Sequence, residues 1–134
     1  ENFTNLGVYT DIVQDADIIL FNSHQNIEKI LFLKWNFPDK VFVHRVDGPM
    51  RLYNNMSDTR DDLVYYMNHK VANATVFQTD WSRQSNNSLG LSLNKPYKII
   101  GNAADSNIFY SSLFKQLIYS FYYSTIIINY LYFY

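Results

Sequence analysis

The chain has 134 residues, 48% of them hydrophobic, a formal net charge of −1 and no cysteine. That length is one domain or a piece of a larger protein, with enough apolar side chains for a core. The charge balance argues against the basic face of a nucleic-acid binder and against the Lys/Arg clusters that seek anionic membranes. Without cysteine there is neither a disulfide framework nor a thiolate metal site, which fits a reducing, cytoplasmic setting.

The opening ENFTNLGVYTD lacks the apolar stretch of a secretory signal. Asn2, Asn55, Asn73 and Asn86 begin Asn-x-Ser/Thr triplets, which arise by chance in an asparagine-rich chain and carry no weight without such a signal. The first strand is predicted at DIILF, 17–21, and the polar group NSHQ, 22–25, follows it. A helix is predicted over 24–35, where Ile27, Ile30 and Leu31 share a face with Lys34 at its rim. NFPDK then turns the chain into VFVH, 41–44, a second strand that ends in His44, Arg45, Asp47 and the break Gly48-Pro49.

In 58–73, Leu63, Val64, Met67 and Val71 recur at helical spacing, and Asp58, Asp61 and Asp62 lie in the first turn, where the helix dipole favours carboxylates. TVFQ, 75–78, reads as a third strand. TDWSR opens another helix, with Thr79 or Asp80 as N-cap and Gly90 as its stop. YKII, 97–100, is the fourth strand, followed by GNAAD, 101–105. The first three strands are nearly continuous in apolar residues, the pattern of strands covered on both faces. The order β-α-β-α-β-α-β implies right-handed crossovers and an α/β fold: a Rossmann-like parallel sheet with flanking helices.

Each strand is followed at its carboxyl end by a polar group, and open α/β sheets bind ligands in the crevice beyond those ends. No phosphate-binding glycine loop, nucleophile elbow or His-Glu-x-x-His is present, so no cofactor or metal is expected. His24, His44 and His69 with Asp47 lack diagnostic ligand spacing. Helix N-terminal charge suffices to explain Asp61 and Asp62 without a catalytic pair. For His44 two readings stand side by side: a strand-end histidine hydrogen-bonded to backbone, or a side chain in the crevice oriented by Arg45 or Asp47. Gly48-Pro49 would keep that loop sharp.

DADIILFNSHQ, VFVHRVDGP, ANATVFQTDWSR and KIIGNAADSNIF, in that order and spacing, resemble the N-terminal, acceptor-side domain of family-4-type (group 1) glycosyltransferases, enzymes of the two-domain GT-B architecture. The resemblance spans roughly residues 9 to 110. It is carried by the combination, since each segment alone is weak. It implies transfer of a sugar from a nucleotide-sugar donor to the hydroxyl of a glycan, lipid or small-molecule acceptor, with retention and without a required metal. His44 matches the family's strand-end histidine, which faces the cleft and contacts the transferred sugar. Its loop (Arg45, Asp47, Gly48) would shape the cleft, and Asn22, His24 and Gln25 would border the acceptor pocket. Asn102 and Asp105 would brace the hinge. GNAADSNIF departs mildly from the family pattern, with Ala103 where glycine is usual.

The resemblance also implies what should lie outside these residues: a first strand with a glycine-rich loop before Glu1, and a donor-binding domain on the order of 150 residues after Phe109. The reading is therefore a partial glycosyltransferase domain over 1–110, inactive alone. Residues 111–134 form an off-pattern tail. LIYSFYYSTIIINYLYFY, 117–134, is uncharged, and its residue types can be written in A/T-rich codons. Translation past a frameshift near 110–116 explains it best. A buried C-terminal element is the next reading, and a membrane anchor the last, because its tyrosines are spread throughout. The rival from another class is a non-catalytic Rossmann-like binding or interaction module.

Overall fold

The computed structural model describes residues 9–101 and 131–133. A 3-10 turn (Val13–Asp15) leads into β1 (Ile18–Asn22), α1 (Ile27–Asn36), β2 (Val41–Val46), a short α2 (Met50–Tyr53) and α3 (Arg60–Lys70). Then come β3 (Ala74–Phe77), α4 (Asp80–Ser88), β4 (Tyr97–Ile99) and β5 (Leu131–Phe133). Every described strand pair is parallel, and the sheet order is β4-β3-β2-β1-β5. The Rossmann-like α/β fold expected from the sequence is the fold observed. The rest of the tail, with Asn102 and Asp105, lies outside the described residues. Among those that are described, no helix is long and apolar enough to cross a membrane.

The steps from β1 to β4 all move in one direction across the sheet, so right-handed crossovers lay the connecting helices on one face. On that face Ile19, Phe21 and Phe42 pack with Ile30 and Leu33 of α1, with Met67 of α3 and with Val71 just past it. Val46 and Phe77 meet Val64 of α3 and Leu91 beyond α4. Burying each such side chain is worth about 1.5–3 kcal/mol. Buried positions alternate along β1, β2 and β3, because successive side chains of a strand point to opposite faces. Ile18, Leu20, Val43 and Val76 on the other face are only partly buried, and Val41 is exposed. The apolar runs predict cover on both faces; the described helices supply it on one.

Helix boundaries follow local chemistry. Thr79 accepts a hydrogen bond from the Ser82 N–H at 3.0 Å, the expected N-cap of α4. Gly90, with φ of 111°, sits just past that helix in a conformation open to glycine. Lys95 Nζ donates to the Asn68, His69 and Ala72 carbonyls at 2.8, 2.8 and 2.6 Å and closes the C-terminus of α3. On α3, Val64 and Met67 are buried as expected, whereas Leu63 is exposed and Asn68 takes an inward position. On α1, Leu31 likewise points outward while Ile30 and Leu33 point in. The inward stripe of each helix is narrower than its apolar residues suggest.

Candidate functional site

At the carboxyl edge of the sheet, alternation sorts the ionisable cluster that ends β2 into two sets. Arg45 lies on the face opposite the helices, where Asn22 of β1 is its register partner. Arg45 Nη1 donates to Asn22 Oδ1 at 2.9 Å and forms an ion pair with Asp47 Oδ1 at 3.3 Å. Gln78, the residue after β3, donates its side-chain amide to the same Asp47 oxygen. Asn22, Arg45, Asp47 and Gln78 thus make one hydrogen-bonded row across three adjacent strand ends. The Arg45 and Asp47 side chains each keep 29% of their surface exposed, so the row is both ordered and reachable. Their charges cancel, leaving a site of mixed donors and acceptors.

His44 belongs to the other set. Its side chain is buried under the helices, stacked on Phe21 with ring centroids 4.3 Å apart. Nε2 lies 2.9 Å from the Ser23 carbonyl, a pure acceptor, so Nε2 carries the proton. Nδ1 then accepts from Asn68 Nδ2 at 3.3 Å, and the same amide nitrogen donates to Thr75 Oγ1 at 2.7 Å. Burial pushes the His44 pKa down to about 4; the Ser23 carbonyl opposes the shift and Lys95 adds to it. The imidazole is therefore neutral at pH 7, with both nitrogens engaged. Its partners are Ser23 and Asn68, not Arg45 or Asp47 as a crevice-facing histidine would require. The cause is strand parity, which places residues 44 and 45 on opposite faces.

The loop that His44 contacts is conformationally unusual. Ser23 and Asn26 adopt positive φ values of 47° and 51°, a left-handed conformation that asparagine tolerates and that costs a residue such as serine about 1–2 kcal/mol. Ser23 is buried, its N–H donating to the Arg45 carbonyl at 2.8 Å while its own carbonyl meets His44. His24 Nδ1 lies 3.3 Å from Ser23 Oγ, and Gln25 is exposed at the loop tip. Asn22, His24 and Gln25 are thus at the sheet's carboxyl edge, with only Asn22 bonded into the polar row. His24, His44, His69 and Asp47 do not gather, and among the described residues no three His, Asp or Glu side chains form a metal-sized group.

Gly48 is where a side chain has no room. A Cβ there would meet Trp81 Cζ3 at 2.7 Å, Tyr53 Oη at 2.7 Å and Tyr53 Cε2 at 2.9 Å. The two rings, one from α2 and one from α4, meet edge to face with centroids 6.0 Å apart. Both remain largely in solvent, Trp81 50% and Tyr53 63% exposed. The backbone beneath is anchored by Asn86, buried, which donates to the Asp47 carbonyl at 2.8 Å, and by Ser82, which donates to the Val46 carbonyl at 3.3 Å.

Asp61 is buried and accepts from the Met50 and Arg51 N–H groups at 2.8 and 2.9 Å. It caps α2, whereas the sequence suggests only the dipole of its own helix. Asp62 pairs with Arg51 at 2.7 Å on the surface. Asn68 and Tyr53 are not singled out from the sequence, and Ser23, Gln78 and Trp81 figure there only within the polar stretches NSHQ and QTDWS, without a role of their own. For Gln78 a signal existed: it follows Val76 by two and so shares the face of Arg45. Comparison of the chain with protein-family models, with curated proteins and with solved structures finds no significant match.

Proposed function

We propose that the chain is the acceptor-side part of a GT-B glycosyltransferase whose complete form transfers a sugar from a nucleotide-sugar donor to an acceptor hydroxyl. The observation that supports this reading most is convergence. All four segments that resemble the family contain strands of one parallel sheet, and three of them contribute the polar row at its carboxyl edge. That edge is where a sheet of this kind receives ligands. Arg45, Asp47 and Gln78 would meet substrate hydroxyls, and Asn22 would hold Arg45 in place. His44, matched to the family's sugar-contacting histidine, acts in this chain as a positioning residue. Through Nε2 it fixes the Ser23 carbonyl, and with it the strained loop 23–26.

Catalysis in such an enzyme needs both walls of a cleft, so this chain should neither turn over nor hold a sugar nucleotide tightly. The test is to express it joined to a donor-binding Rossmann-like domain read from the same locus, in whichever frame encodes it. Sugar release from labelled UDP- and GDP-sugars is then followed with a panel of acceptors. Acceptor-dependent transfer, lost in Asp47→Ala, supports the reading; no transfer with any donor sinks it. The burial of His44 with both ring nitrogens engaged favours a second reading, a non-catalytic binding module. Ligand binding without transfer in the joined protein would select that one.

A further inference from the structure

Exposed aromatic rings scattered singly over a surface need no explanation. Trp35, 86% exposed near the end of α1, is of that kind. Tyr53 and Trp81 are not. They touch each other, come from different helices, and are seated on a residue whose missing Cβ is what lets them approach. The residue before it in the chain is Asp47, whose carboxylate is held by Arg45 and Gln78. A half-exposed aromatic pair thus stands one residue along the chain from a partly exposed pair of opposite charges, at the carboxyl edge of the sheet, where folds of this kind receive ligands.

We infer that this corner binds the ring of a neutral pyranose glycoside, stacked on Trp81 and Tyr53 with its hydroxyls toward Asp47 and Arg45. The chemistry of such a ring matches what is present. Its C–H face is apolar and suits an aromatic surface, while each hydroxyl both donates and accepts. A carboxylate supplies acceptors and a guanidinium supplies donors. Because the two charges cancel, the corner offers nothing extra to a phosphate, and Asp47 repels one. The assignment deepens the transferase reading and rests on it in one respect: the glycoside would be the acceptor, which makes the acceptor a sugar and not a phospholipid.

The experiment uses the whole chain carrying Trp35→Phe, which leaves Trp81 as the one tryptophan. Its emission is followed during titration with the methyl glycosides of glucose, galactose and mannose, with sorbitol as an open-chain polyol and inorganic phosphate as an anion. The expected result is a saturable change with at least one glycoside and none with sorbitol or phosphate. Asp47→Ala should weaken binding about tenfold, the loss of one charge-assisted hydrogen bond, and Tyr53→Ala should weaken it further. Far-UV circular dichroism confirms that each variant is folded, and Tyr53 is exposed enough for its removal to spare the core. No saturable change with any glycoside, an equal response to sorbitol or phosphate, or unchanged affinity in Asp47→Ala overturns the inference. The titration contains no donor and requires no turnover, so failure here leaves the transfer assay standing, and failed transfer leaves a positive titration standing.

Discussion

Acid should destabilise this protein in a window set by one buried side chain. The His44 pKa falls from 6.5 in the unfolded chain to about 4 in the fold, chiefly because burial penalises the imidazolium. Protonation would also place a second N–H against the Asn68 amide that now donates to Nδ1. Between those two values the unfolded state binds a proton that the native state does not, so stability rises with pH there. The full contribution is present above pH 6.5 and is lost progressively as pH falls toward 4. The whole gap corresponds to about 3 kcal/mol, and the part lost by pH 5 to about 2 kcal/mol. Urea denaturation followed by circular dichroism, from pH 7.5 to 5, measures it in the wild type and in His44→Gln, whose amide does not titrate. The wild type should lose about 2 kcal/mol more than the variant across that range. Parallel curves for the two proteins would refute the reasoning. So would an NMR titration placing the His44 pKa near 6.5, a measurement that stands even if the variant folds poorly.

Asp61→Ala leaves two N–H groups at the start of α2 without their acceptor and should cost about 1–3 kcal/mol in urea denaturation, while Asp62→Ala, at an exposed ion pair, should cost less than about 1 kcal/mol. Equal losses would show that Asp61 acts only by its charge. Thr79→Ala removes the cap of α4 and should cost about 1 kcal/mol, with faster amide exchange at Ser82 as its local signature; unchanged exchange there would contradict the capping bond. Gly48→Ala forces Tyr53 and Trp81 off the backbone. Both rings have solvent to move into, so the loss should stay near the low end of overpacking costs, about 1 kcal/mol. Trp81 emission should shift in the Trp35→Phe background, and an unshifted spectrum would mean the rings do not rest on Gly48.

Much of the architecture is legible in the chain because it depends on local rules. Short apolar runs alternating with segments of helical period dictate a parallel α/β sheet, and Thr79-Asp80 ahead of a helical segment narrows the cap of α4 to two residues. The polar groups at the carboxyl ends of the strands are equally visible, since strand ends are read from composition. What linear reading blurs is direction. VFVHRVDGP looks like one cluster, yet a strand turns neighbouring side chains to opposite faces, sending His44 under the helices and Arg45 toward solvent. Which face the helices take depends on the order in which strands assemble, a property of the sheet and not of any segment. Three-dimensional packing alone decided the partners: Asn68 for His44, Gln78 for Asp47, the α2 N-terminus for Asp61, and two aromatic rings for Gly48. These pairs lie 5 to 33 residues apart in the sequence, where no local pattern links them and only the folded sheet brings them within contact.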